Sequence, residues 1–298
     1  MKKVLLDCAP GVSDALALLL LSRSSELQLT AITTGYGRCS AETACKNAQS
    51  LAELLHLSVP VAYGAERPLF AERLPEEQAD SLAAISLPTS AARPIQWSWD
   101  EIYRQAKAAG KLTLLTMGPL TNVAIALFRY EDLPQYLENI VILGGSAGSG
   151  DATEFGEFNA ASDPHAFEVV LRSGVPIRML GLDALETARL NEEECQQMLD
   201  MLPAPFSTML QAQCCELRKW GEIGITLPGA ALVAITEQPQ FAESCSRFVR
   251  VETVRSGMFG RTVVDIRRHS KEPHNADVIT SVRKEALWSW LCAKSGAN

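Results

Sequence analysis

The sequence has little that would draw it to a polyanion. Its 298 residues carry 27 Lys and Arg against 35 Asp and Glu, for a net charge of −8. No global positive field recruits nucleic acid or an acidic membrane surface, so a neutral or modestly charged small ligand fits better. Zinc chemistry is also missing. The eight cysteines form no C-x-x-C pair, and none of the four histidines stands beside them at metal spacing. The longest apolar run, 15–21, falls well short of the ~20 residues that a membrane span needs. Met1-Lys2-Lys3-Val4-Leu5-Leu6-Asp7 enters a strand pattern directly, without the apolar core or small-residue cleavage site of a secretory leader. The expectation is a cytoplasmic chain with reduced cysteines, most of them in the core. Glycine, proline and charge stand at ordinary levels, which excludes collagen-like repeats, low complexity and disorder.

What is present is an alternation of two periods. Apolar runs at 3–7, 27–34, 59–63, 112–117, 140–143 and 177–180 lack polar alternation. Helical patterns at 14–22, 41–55, 100–109, 120–130 and 164–172 fall between or beside them, the first with Ser13 or Asp14 as its cap. Strands of this kind are buried on both faces by helices. The fold class is therefore α/β, with a doubly wound, mostly parallel sheet. A helical segment at 191–223, strand patterns at 248–254 and 262–266, and a helix at 285–294 add C-terminal helices and strands. No linker or repeat divides 1–298, which reads as a single domain. Such sheets bind ligands beyond the carboxyl ends of their strands. That directs attention to 7–14, 34–38, 117–122, 144–159 and Asp183. No G-x-G-x-x-G turn follows the first strand, and no G-K-[ST] follows Gly144-Gly145 or Gly148…Gly150. Dinucleotide and P-loop chemistry are thereby disfavoured.

Several strand-end segments carry a resemblance, in order along the chain. Asp7-Cys8-Ala9-Pro10-Gly11-Val12-Ser13-Asp14-Ala15 resembles the D-x-D-P-G-x-D-D-A signature of the nucleoside hydrolases. Met117-Gly118-Pro119-Leu120-Thr121-Asn122 resembles their T-G-P-L-T-N turn, Leu143-Gly144-Gly145 their M-G-G, and Gly181-Leu182-Asp183 their G-L-D. Glu157-Phe158-Asn159 followed by Asp163-Pro164 resembles E-F-N…D-P, and Asn47-Ala48 and Gly64…Pro68-Leu69 also fit. The resemblance implies a nucleoside hydrolase-type sheet and cleavage of the N-glycosidic bond of ribonucleosides to ribose and base. It also implies a calcium ion that holds the ribose hydroxyls and the attacking water, an aspartate base, and a homodimer or homotetramer.

The matching fails where that chemistry concentrates. The family's second aspartate, both metal ligand and base, falls on Ala9, and the third, a ribose contact, on Ser13. A late H-D-P-x-A motif aligns with Thr226-Leu227-Pro228-Gly229-Ala230, so Leu227 replaces another metal carboxylate. Asp14, the backbone carbonyl of Met117 and at most Asp7 remain as metal donors, whereas calcium takes six to eight oxygens at ~2.4 Å. The expectation is a weak or absent calcium site and weak or lost calcium-dependent activity. The alternative is a pseudoenzyme that binds ribose, a nucleoside or a protein partner. The family's H-G-x-D-G-L-G loop has its nearest counterpart in Gln78-Ala79-Asp80-Ser81-Leu82-Ala83.

The expected ligand-binding residues are Asp7, Ser13, Asp14, Arg38, Asp151, Glu157 and Asn159, with the position of the catalytic base occupied by Ala9. Arg38 and Asp151 are expected to pair, the guanidinium standing in for the ion's positive charge. Simpler readings stand beside these. Asp7 can accept bonds from the 11–14 turn, Asp14 and Asp163 can be helix caps, and Asp183 can be structural. His56, His165, His269 and His274 match no catalytic arrangement. Cys8 as a nucleophile lacks a partner histidine nearby in sequence.

Overall fold

A computed structural model describes every residue except 71, 73, 75–79, 255–256, 268 and 296–298. Its centre is a nine-stranded sheet. The strands are β1 (Lys2–Cys8), β2 (Leu27–Thr34), β3 (Val61–Tyr63), β4 (Ile95–Gln96), β5 (Leu112–Thr116), β6 (Leu137–Leu143), β7 (Ile177–Leu180), β8 (Ala242–Arg247) and β11 (Ala276–Val282). Their order is β4-β3-β2-β1-β5-β6-β7-β11-β8, parallel throughout except that β8 runs antiparallel to β11. β9 (Val249–Val251) and β10 (Thr262–Val264) form a separate antiparallel pair.

The period-2 alternation of the strands splits the core into two layers. Val4 and Leu6 of β1, Leu115, and Val141 face the layer built by α1 (Val12–Ser22), α2 (Ala41–Leu54), α7 (Leu182–Glu186), α8 (Glu192–Met201), α9 (Phe206–Lys219), α10 (Pro228–Glu237) and α11 (Lys284–Ser295). Leu5, Leu114, Ile140 and Ile142 face the layer of α3 (Ser98–Ala109), α4 (Thr121–Arg129), α5 (Phe158–Ser162) and α6 (Pro164–Leu171). Continuous apolar runs arise because both faces of each central strand are covered.

β1 lies between β2 and β5, so the chain winds outward in one direction through β4 and then in the other from β5. The carboxyl ends of β1, β2, β5 and β6 therefore meet at the switch in strand order, where such sheets form their crevice. The segment 191–224 leaves that end as a helical hairpin. Its neck is tied by reciprocal Leu190 and Ile225 backbone bonds of 2.8 and 3.0 Å.

The structure differs from the sequence expectations in four places. α1 begins at Val12 with Gly11 at the N-cap, a position that neither Ser13 nor Asp14 occupies. Asp14 instead sits one turn in, where its Oδ2 accepts the Gly11 N–H at 3.0 Å. β8 and β11 were not legible in the sequence, because Ala242-Glu243-Ser244-Cys245-Ser246-Arg247 is polar and β11 mixes polar and apolar residues. The expected strands at 248–254 and 262–266 are shorter and leave the main sheet. Of the cysteines, only Cys8, Cys45, Cys195 and Cys214 are buried; Cys39 and Cys292 are half-buried, and Cys215 and Cys245 are exposed. Among the described residues no helix is long and apolar enough to cross a membrane.

Candidate active site

β1 carries Asp7 to the floor of the crevice. Its Oδ1 accepts from the Thr33 hydroxyl at 2.6 Å and from Asn122 Nδ2 at 2.9 Å. Asn122 is the hub of this floor. Its amide also donates to the Thr34 carbonyl at 3.0 Å, and its Oδ1 accepts the Ala65 N–H at 2.9 Å. Burial pushes the Asp7 carboxyl up to about 6 against the pull of the Thr33 and Asn122 bonds. The expected bonds from the 11–14 turn to Asp7 are not made. The carboxylate is held by β2 and the start of α4, and nothing in the sequence singled out Thr33 for that role.

Asp14 lies in the first turn of α1, beside the turn after β1. Its Oδ1 is buried and has no hydrogen-bond partner. Burial raises its carboxyl to about 6, with the Gly11 N–H opposing. Ser13 Oγ accepts the Gly229 N–H at 2.9 Å, so this hydroxyl ties α1 to the start of α10. The Ala9 methyl lies against Gly37 and the backbone at Gly118; a Cβ on Gly37 would come within 2.5 Å of it. Leu227 is buried in the core layer of α1 and α10.

The opposite wall comes from the loop after β6. Glu157 caps α5, and its Oε2 accepts the Gly145 N–H at 2.8 Å and the Ala160 N–H at 3.1 Å. Burial, then the charge of Asp151, raises its carboxyl to about 7. Asn159 Nδ2 donates to the Met117 carbonyl at 3.1 Å and the Leu143 carbonyl at 3.0 Å, joining the ends of β5 and β6. Gly144 and Gly145 adopt positive φ, and a Cβ on Gly144 would press on Glu157 Oε2 at 3.1 Å. The pair therefore shapes a turn around Glu157 rather than a phosphate loop.

Arg38 and Asp151 pair as expected, at 3.3 Å, but both side chains are largely exposed, 47% and 39%. The guanidinium lies over the Phe158 ring at 4.1 Å, and Asp151 Oδ1 accepts the Phe158 N–H at 2.7 Å. Arg38 does not bond Asp14, whose Oδ1 is buried without a partner, so the expected substitution of guanidinium charge for the ion is not made. A side chain this hydrated holds its charge at the rim. Asp163 caps α6 through the Ala166 N–H at 3.0 Å and also accepts the Thr121 hydroxyl at 2.7 Å. Asp183 accepts from Ser146 Oγ at 3.1 Å and the Ala147 N–H at 2.6 Å, a structural role. Burial, then the charges of Asp14 and Asp7, pushes the Cys8 thiol well above its usual range, which suits a packed thiol and not a nucleophile. His165 stands at the start of α6, packed near Phe70 and Phe259.

Gln78 and Ala79 lie outside the described residues. Asp80 accepts from Asn47 Nδ2 at 2.9 Å, while Asn47 also donates to the Pro10 carbonyl at 3.2 Å. Ser81 reaches Gly11 closely enough that a Cβ there would stand 2.9 Å from its Oγ. The loop is thus anchored over the β1 turn without the glycines of its counterpart.

This donor set does not fit the calcium that the resemblance implies. A methyl at 9 and an isobutyl group at 227 offer no oxygen, and the Met117 carbonyl, which accepts one bond from Asn159, keeps a single lone pair. Among the described residues no three His, Cys, Asp or Glu side chains converge as metal ligands do. A hard cation requires several anionic oxygens, and the Asp14 Oδ1 is one.

Asp7, Asp14, Glu157 and Asn159 thus gather at the switch in strand order of an α/β sheet, the place where such folds bind ligands. Residues 4–289 match the inosine-uridine preferring nucleoside hydrolase family, and the chain belongs to it. It is 31% identical over 302 residues to the pyrimidine-specific ribonucleoside hydrolase RihA of Shewanella sp. (strain MR-7), covering 96% of this chain and 93% of that one. It is 32% identical over 297 residues to the RihA of Escherichia coli (strain ATCC 8739), covering 95% of each. Among solved structures, the plant nucleoside hydrolase PpNRh1 superposes with a TM-score of 0.89 at 25% identity, covering 100% of this chain and 99% of that one.

Proposed function

We propose that this chain is a nucleoside hydrolase-like protein that holds a ribonucleoside in the strand-end crevice, with calcium-dependent hydrolysis weak or lost. The observation that carries this reading is the Asp14 carboxylate, with one buried oxygen unpartnered. A buried acceptor without a donor is costly, by ~1–3 kcal/mol, and a sugar hydroxyl that reached it as the surrounding turn gave way would relieve that cost without the missing carboxylates. Glu157 and Asn159 supply the facing polar wall. Loss of the base at position 9 removes ~10²–10⁴ in rate, and loss of the metal removes more, since it both generates the nucleophile and orients the sugar.

Calorimetric titration of chelator-treated protein with calcium tests this, together with nucleoside binding and ribose release. The pyrimidine-specific relatives make uridine and cytidine the first nucleosides, with inosine and adenosine beside them. Nucleoside binding without calcium uptake is expected. Slow ribose release would mark a weak enzyme, and none would mark a binding protein. Micromolar calcium affinity with rapid turnover would sink the proposal. So would an absence of nucleoside binding.

A further inference from the structure

The helical hairpin at 191–224 carries two buried cysteines outside the crevice. Cys195 lies on α8 and Cys214 on α9, and both belong to one core layer. The helices run antiparallel, and one ion pair gives their register. Glu192 of α8 meets Arg218 of α9 at 3.5 Å. One helical turn is about 3.6 residues. A turn forward from Glu192 reaches Cys195, and a turn back from Arg218 reaches Cys214. The two thiols are in hydrogen-bonding contact with each other, as this register requires. A turn further on, Met198 and Leu210 continue the seam in the same core layer.

The surroundings of the pair suit exchange better than those of Cys8. Burial raises both thiols, Cys195 to about 11, and the Arg218 guanidinium opposes that rise in both. A positive neighbour favours the thiolate, whereas Cys8 has the Asp14 and Asp7 carboxylates beside it. Cys195 Sγ also donates to the Leu190 carbonyl at 3.9 Å. That carbonyl accepts the Ile225 N–H at 3.0 Å in the neck of the hairpin. The pair therefore stands at the base of the hairpin, next to the tie that holds it to the rest of the chain.

We propose that Cys195 and Cys214 form a reversible oxidation site, a dithiol that closes to a disulfide between α8 and α9 in the folded chain. The oxidant is a low-molecular-weight disulfide. One cysteine thiolate attacks it, forming a mixed disulfide and expelling one thiol. The other thiolate then attacks the protein sulfur of that mixed disulfide and expels the second thiol. Two protein S–H bonds are lost and one S–S bond is made, while two electrons and two protons reduce the reagent to two thiols. Burial makes the exchange slow, and it speeds up as pH rises, because it waits on the thiolate. The bridge fastens the two helices at their base and takes the S–H donor away from Leu190. The inference is independent of what the crevice binds.

The test treats the folded full chain with oxidised glutathione, without denaturant, then blocks the remaining thiols and maps disulfides by peptide mass spectrometry. The expected product joins Cys195 to Cys214 and is opened by dithiothreitol. Its rate of formation should rise about tenfold per pH unit below the thiol's own value. Cys215→Ser should keep the bridge, and Cys195→Ser should abolish it. Amide hydrogen exchange in α8 and α9 should slow by about tenfold or more on oxidation and recover on reduction. The bridge is mapped on the unsubstituted chain, so the result does not depend on how the variants fold. Glutathione carried on the exposed Cys215 with no bridge overturns the proposal. So does a bridge that forms only in denaturant, or one that leaves exchange in the hairpin unchanged.

Discussion

Asn159 bonds the carbonyl oxygen of Met117 through its amide nitrogen, at 3.1 Å, and thereby joins the ends of β5 and β6. The same amide group serves the Leu143 carbonyl at 3.0 Å. Asn159→Ala strips two buried carbonyls of their donor. It should cost about 2–4 kcal/mol, read as a lowered denaturant midpoint with an unchanged slope. A loss under about 0.5 kcal/mol would mean that water replaces the amide without penalty.

The buried acids give stability a definite pH dependence. Asp7 and Asp14 are raised to about 6 from an ordinary 3.8, and Glu157 to about 7 from 4.5. Between those limits the folded state holds more protons than the unfolded one, so these groups lower stability as pH rises from about 4 to about 7. Glu157→Gln removes one of the three. Relative to the unsubstituted chain, the variant should gain about 1–3 kcal/mol between pH 4 and pH 8. Denaturant unfolding of both proteins across that range measures the difference; parallel curves would remove Glu157 from the account.

Arg38 and Asp151 form a rim pair, and rim pairs contribute little. Arg38→Ala should change stability by less than about 1 kcal/mol, even with its stacking on Phe158 lost. A penalty several times larger in a thermal or denaturant melt would show that the guanidinium neutralises the crevice carboxylates after all.

Restoring carboxylates tests the donor set directly. Ala9→Asp, Ser13→Asp and Leu227→Asp together should give a calcium Kd on the order of 10⁻⁴ M or tighter, measured by calorimetry. Unchanged affinity would show that oxygen atoms alone do not rebuild the site.

The sheet was legible because its strands are buried on both faces and read as apolar runs. β8 escaped notice for the opposite reason. Four of its six residues are exposed, and it is held by backbone bonds to β11 that leave no apolar signature. The site was legible at strand ends with distinctive residues, such as Asp7, Asp14, Glu157 and Asn159. It was not legible where a side chain serves another side chain. Thr33 and Asn122 hold Asp7 from 26 and 115 residues away, and Asp80 meets Asn47 across 33. Such partners have no local period or motif. The pairing of Arg38 with Asp151 was readable from the positions of their loops, but its exposure was not, because solvation depends on what surrounds the rim.

The contact between α1 and α10 has a consequence for how this crevice could change. A Cβ on Gly229 would stand 2.2 Å from the Ser13 carbonyl oxygen and 2.9 Å from the Met117 methyl. Two backbones therefore touch where the late motif of the resemblance tolerates a side chain. Any side chain at 229 would push the start of α10 away from α1. A substitution at 229 would therefore disturb Ser13 and Met117, and the crevice through them, without altering any carboxylate.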